Sequence, residues 1–232
     1  MFPDPCIHRF AKCDLLERKI ETLNENGNVD NILYKNYRKY HFSLVYKLKS
    51  AYQNWLDLKE FLTTSETTEV LANRNEHFFM VNHHFDGFLY AIGSALDISA
   101  REVLTYYNVP LTGNIYFSSA KTLLPVRGQR TALFAKLDDP GWKSEFSDYR
   151  NTQTHELLIC TSANVEIDMH AGDEMYVKFP LPDNPRADDR TYRNNPDVLI
   201  YTENTLKRVI SLINQIYSCL CVNIDNNGSL PL

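Results

Sequence analysis

The sequence predicts a mainly α-helical protein, a helical bundle with one β-hairpin inserted before its C-terminal helix. Three observations carry this. No proline occurs between Pro5 and Pro110, and so long a run without proline favours long helices. Apolar residues recur within it at three- and four-residue steps, the period of one buried helix face. Only 8 of 232 residues are glycine, too few for a turn-dense barrel, and strict apolar–polar alternation is confined to one late stretch. The 44% apolar and 23% charged fractions are those of an ordinary globular chain. One domain over 1–232 is expected, with an insert at about 157–200.

The elements follow in order. Residues 8–25 form a first amphipathic helix, stopped near Asn26-Gly27. A second runs from about Asp30 to Leu62, its core stripe made by Tyr37, Tyr40, Leu44, Leu48, Ala51, Trp55, Leu58 and Leu62. Thr63-Thr64-Ser65-Glu66 has the pattern of a capping box and predicts a third helix from there to Tyr107. Phe78, Val81, Phe85, Leu89, Ile92, Leu96, Val103 and Tyr106 share one of its faces. A bend is expected at Gly87 or Gly93. Residues 110–139 read as short turns and loop. Pro140-Gly141 opens a fourth long helix, Trp142 to Leu157. Leu157–Met169 and Glu174–Pro180 then alternate about Ala171-Gly172-Asp173, the hairpin signal, and 182–196 is a polar loop. The last helix, about Thr202 to Asn223, carries Leu206, Val209, Ile210, Ile213, Ile216, Tyr217 and Leu220 on one face.

Several function classes lose their warrant. Neither G-x-G-x-x-G nor G-x-x-x-x-G-K-[ST] occurs, so no dinucleotide or P-loop cradle is indicated. A net charge of −5 argues against coating nucleic acid non-specifically. Basic residues are locally concentrated, however: residues 1–50 hold nine Lys/Arg against six Asp/Glu, and 151–232 hold six against eleven. The five cysteines, Cys6, Cys13, Cys160, Cys219 and Cys221, lack C-x-x-C spacing; reduced thiols and no structural zinc are expected. The N-terminus lacks a signal-peptide pattern, and the longest apolar stretch, Phe85–Ile98, is broken by Asp86 and Asp97. A cytoplasmic protein without membrane contact is the expectation.

The chemistry concentrates in Arg150-Asn151-Thr152-Gln153-Thr154-His155. Asn151 and His155 are four apart and share one helix face, with Arg150 at its edge. A guanidinium, a carboxamide and an imidazole can converge there on a phosphate-sized anion: arginine offers a bidentate fork, and histidine exchanges a proton near neutrality. None of the other eleven arginines is followed by a histidine at five to seven residues.

This hexapeptide resembles the R-x4-6-H signature of the HEPN superfamily, in the form with Asn directly after Arg. The stretch from His83 to Asp97 is similar to the long helix that precedes the motif in prokaryotic members. With the flanking helices the resemblance covers about Leu71–Leu157 and the last helix, and it implies an antiparallel HEPN-like bundle. It further implies metal-independent endoribonuclease activity without a cofactor, the ribose 2′-OH attacking the adjacent phosphate. His155 would move the proton, Arg150 would stabilise the phosphorane and Asn151 would orient the phosphate. Asp86 and Asp97 are candidates for the polar group the family places near its motif. A homodimer would supply the second Arg and His. A toxin role opposed by an antitoxin protein, or a role in defence, fits the same family. The tyrosine that some members carry just after the His is absent, since Glu156 and Leu157 follow.

Other readings stand beside it. One is a catalytically silent bundle that binds RNA, a nucleotide or a protein. Another is a metal-dependent enzyme using His77, His83 and His84, although H-x-x-x-H and E-x-x-H spacings are missing. Lys35, Arg38 and Lys39 interleave with Tyr34, Tyr37 and Tyr40, and no acid occurs between Asn31 and Leu56. These three cations are candidates for RNA contact, or else the solvated back of the core stripe. Arg186, Arg190 and Arg193 sit among four aspartates in the late loop.

Overall fold

The computed structural model describes residues 11–64, 73–124, 131–137, 141–155, 158–160, 164–168, 174–194 and 196–227. It is mainly helical. The helices are α1 (Ala11–Glu25), α2 (Asn31–Thr64), α3 (Arg74–Tyr106), α4 (Ala120–Leu123), α5 (Thr131–Leu137), α6 (Trp142–His155) and α7 (Val198–Asn227). A 3-10 turn, Phe117–Ser119, leads into α4. Strands β1 (Asn164–Asp168) and β2 (Glu174–Lys178) pair antiparallel, with Glu166 opposite Tyr176; the residues between them lie outside the described part.

Helix ends are set by local chemistry. After α1 the Gly27 N–H bonds the Asn24 carbonyl and the Asn28 N–H bonds that of Leu23, with Gly27 at φ 70°. That double closure needs a left-handed residue, which glycine adopts without strain. Asn108 (φ 51°) does the same after α3: its N–H reaches Thr105 and the next reaches Leu104. Asp30 caps α2 by accepting the N–H groups of Ile32 and Leu33.

The structure corrects the sequence reading at two helix boundaries. Thr63 and Thr64 belong to the last turn described of α2, the Thr63 hydroxyl donating to the Lys59 carbonyl at 2.8 Å. A Ser/Thr hydroxyl can satisfy the preceding turn as readily as the next N-terminus, and α3 starts only at Arg74; Ser65 and Glu66 lie outside the described residues. α7 begins at Val198 rather than Thr202, because Asp197 accepts the Leu199 N–H and caps it there. α6 is described as far as His155; Glu156 and Leu157, where its expected end falls, lie outside the described residues.

The chain forms two compact units. The first comprises Met1–Leu48, Ile92–Pro140 and Lys207–Leu232; the second Lys49–Ala91 and Gly141–Leu206. In the first, Leu16, Ile20, Tyr37, Leu44, Val103, Tyr106, Ile213, Ile216 and Tyr217 are buried. Its polar ties include Tyr106 Oη donating to the Leu220 carbonyl at 2.9 Å and Asn223 Nδ2 donating to Tyr107 Oη at 2.7 Å. In the second, Trp55, Leu58, Phe85, Phe88, Tyr149 and Phe179 are buried. Tyr201 meets Tyr149 and Phe85 edge to face, with ring centroids 4.8 and 6.1 Å apart. Gly87 serves close approach: a Cβ there would lie 2.5 Å from Asn54 Oδ1.

Candidate functional site

The motif hexapeptide occupies the end of α6, in the second unit. Its residues divide between two faces. Thr152 and Gln153 are buried, beside the buried Tyr149 and Phe146 of the preceding turns. Arg150, Asn151 and Thr154 are half-buried on the other side, and Thr154 donates its hydroxyl to the Arg150 carbonyl at 2.7 Å. The helix places Asn151 and His155 one turn apart; the His155 side chain lies outside the described part.

Gln153 is the structural anchor of the motif. Its Nε2 donates to Asn82 Oδ1 on α3 at 3.2 Å, and its Oε1 accepts the Ile159 N–H at 2.8 Å. Asn82 in turn donates from Nδ2 to the Phe78 and Cys160 carbonyls, both at 2.8 Å, and accepts the Cys160 N–H at 3.2 Å. Two buried carboxamides thus satisfy the backbone that leaves α6 and tie it to α3. Buried polar groups without partners are costly, so a fully bonded pair of this kind fixes one geometry. Spacing reasoning missed both residues. The available signal was an asparagine directly after Val81 on the apolar side of a long helix.

The chain beyond the motif is also fastened. Asp197 Oδ2 accepts the Phe179 N–H at 3.1 Å while Oδ1 caps α7. Burial raises its pKa above the ordinary carboxyl value, against the pull of those backbone N–H groups. Tyr149 Oη donates to the Pro182 carbonyl at 2.5 Å. In the polar loop Asp183 accepts from the N–H groups of Asn194 and Arg193 and from the Thr191 hydroxyl. The Asn194 N–H is the main influence holding its pKa below the usual value.

The remaining candidates are dispersed. Asp86, in the same unit as the motif, is half-buried on α3. Asp97 belongs to the other unit, where Oδ1 accepts the Phe117 N–H at 2.9 Å and secures the chain entering the 3-10 turn. Lys35, Arg38 and Lys39 lie on α2 in that same first unit. Of the late arginines, Arg186 pairs with Asp148 at 3.0 Å and Arg190 donates to the Leu158 carbonyl at 2.9 Å.

The three histidines of α3 do not converge on one point, although the His83 and His84 rings meet edge to face at 5.4 Å. His77 is buried, its Nδ1 3.0 Å from the Asn73 carbonyl and its ring 5.1 Å from that of Phe61. His83 is exposed and stacks on Phe79. His84 is half-buried, and burial lowers its pKa. No group of three or more His, Cys, Asp or Glu among the described residues is placed to hold a metal. Cys160, Cys219 and Cys221 are free thiols; Cys160 is buried, and burial raises its pKa strongly. Cys6 and the Cys13 side chain lie outside the described part. No described helix is long and apolar enough to cross a membrane.

Comparison with protein families, curated proteins and solved structures returns no match for this chain.

Proposed function

We infer that the chain is a HEPN-type endoribonuclease that cleaves RNA without a metal. One observation carries the reading: the hexapeptide buries Thr152 and Gln153 while Arg150 and Asn151 remain on the open side of the same helix. The motif is therefore held from behind, by the Gln153–Asn82 carboxamide pair, and Arg150 and Asn151 keep part of their surface in solvent.

In the reaction the 2′-oxygen of one ribose attacks the adjacent phosphorus, its proton leaves, and the 5′-oxygen departs with a proton. The products are a 2′,3′-cyclic phosphate and a 5′-hydroxyl. His155 moves protons, the Arg150 guanidinium meets charge accumulating on the phosphorane oxygens, and Asn151 orients the phosphate. One imidazole does not serve both sides of a phosphate easily, so a homodimer completes the site. A role as a toxin restrained by an antitoxin protein, or in defence against foreign RNA, follows from this class of activity.

The test is cleavage of RNA in EDTA. Wild type cuts; His155→Ala falls by at least about a hundredfold, the scale of lost proton transfer, and Arg150→Ala falls comparably. Cleavage that returns only on adding a divalent metal replaces this reading with a metal-dependent one. A folded wild type that binds RNA without cutting it leaves a silent RNA-binding module.

A further inference from the structure

α2 turns an unusual face to solvent. Between Tyr34 and Tyr46, Lys35, Lys39, Phe42 and Tyr46 are exposed, and Tyr34 and Arg38 half-buried. Phe42 is 52% and Tyr46 67% exposed, far from the normal burial of such rings. At 100° per residue, Lys35, Arg38, Lys39, Phe42 and Tyr46 fall within one third of the helix circumference. The opposite face carries the buried Tyr37, His41, Leu44 and Leu48. The rings and cations are mutually organised: the Arg38 guanidinium lies 4.9 Å from the Phe42 centroid and 5.7 Å from that of Tyr34. Such contacts hold the ring in place before any ligand arrives.

We propose that this face of α2 is a binding surface for single-stranded RNA, with Phe42 and Tyr46 as stacking platforms and Lys35, Arg38 and Lys39 as phosphate contacts. Charge selects the occupant. The stretch from Asn31 to Leu56 contains no acid, in a chain whose net charge is −5, so the face is complementary to a polyanion. Rings alternating with cations match a polymer whose bases and phosphates alternate. A protein partner would favour an apolar centre depleted of charge, and here every exposed ring has a cation one turn or less away. The structure also separates the rings: Tyr37 belongs to the core, whereas Phe42 and Tyr46 do not.

The surface shares with the ribonuclease reading only the class of polymer, and its test does not depend on cleavage. Binding of a labelled 2′-O-methyl oligouridine of about 12 nucleotides, a length within the usual single-strand site, is followed by fluorescence anisotropy. The modified ribose cannot attack its phosphate, so an inactive motif does not affect the result. Phe42→Ala and Tyr46→Ala should each weaken binding roughly tenfold. Phe42→Tyr and Tyr46→Phe, which keep a ring, should bind like wild type. Lys35→Ala should flatten the dependence of log affinity on log salt by about 0.7, and Arg208→Ala, a cation removed from the exposed side of α7, should leave it unchanged. Absence of binding by wild type, or ring deletions that bind as wild type does, overturns the proposal. So does equal competition by polyglutamate, which would make the face a dock for acidic protein.

Discussion

A histidine and a glutamate without access to water must be explained by each other. His41 on α2 and Glu102 on α3 are almost wholly buried in the first unit. His41 Nδ1 lies 2.9 Å from Glu102 Oε1, Tyr217 Oη donates to the other carboxylate oxygen, and Glu17 Oε2 lies 3.5 Å from His41 Nε2. Tyr37 Oη, 3.5 Å from Nδ1, closes the cluster. Burial works against a charge on the ring, but the Glu102 hydrogen bond and the charges of Glu102, Glu17 and Asp14 outweigh it, so the imidazole pKa lies above 6.5. The folded state then holds a proton that the unfolded chain releases more easily. This stabilisation is complete below the unfolded value and disappears as pH rises through the folded one. Denaturant unfolding should show wild-type stability declining from about pH 6.5 upward. Glu102→Gln should cost about 1–3 kcal/mol at neutral pH and flatten that decline; an unchanged slope would exclude the pair as its source. The sequence already held a clue, since His41 and Glu102 both interrupt apolar stripes, and charged residues within a core face are paired. Their partnership was not legible, because nothing in the spacing of either helix brings residues 61 apart together.

At the scale of elements, helix existence was readable and helix ends were less so. The stripes on α2, α3 and α7 are buried nearly residue for residue: of those on α7, Leu206, Val209, Ile210, Ile213, Ile216, Tyr217 and Leu220 all lie in the core. Boundaries depend on single hydrogen bonds, such as those of Thr63 and Asp197, and several geometries compete for one polar side chain. Gly87 shows the same limit. Its sequence context suggests a bend, and the structure gives it a further role the sequence did not suggest, a close passage beside Asn54, whose Nδ2 bonds the Ser50 carbonyl at 2.9 Å. Alanine in a helix interior ordinarily gains about 1 kcal/mol over glycine. Here Gly87→Ala should destabilise by about that amount, because Asn54 must turn away and lose its bond. In an Asn54→Ala background the sign should reverse, and a thermal-unfolding cycle over the four proteins measures it. Additive effects would refute the contact.

At the scale of the molecule, the ribonuclease reading makes a demand that one subunit does not meet. A phosphodiester needs proton transfer on two sides, and each chain carries one such motif. On that reading a two-fold axis beside α6 would supply two copies of each group. Sedimentation should therefore show a dimer at the concentrations where cleavage occurs. Mixed dimers of one Arg150→Ala and one His155→Ala subunit should be impaired relative to wild type, since no complete pair of either residue remains. A stable monomer that cleaves RNA would defeat the composite site. In the sequence, spacing alone brings Asn151 and His155 onto one helix face with Arg150 at its edge. The residues that hold the turn, Gln153 and Asn82, are 71 apart in the chain.

The carboxamide pair also acts as a ruler. Gln153 grips α3 through Asn82 and then takes the N–H of Ile159, six residues further on, while Asn82 takes both backbone groups of Cys160. The chain must leave the helix and return to the same two side chains, so the number of residues between Gln153 and Ile159 is set. Insertions and deletions are excluded there even where substitutions are harmless. In any set of natural variants of this protein, length should vary freely in exposed connections and remain constant across these five positions, with His155 always the same number of steps from the anchor that follows it.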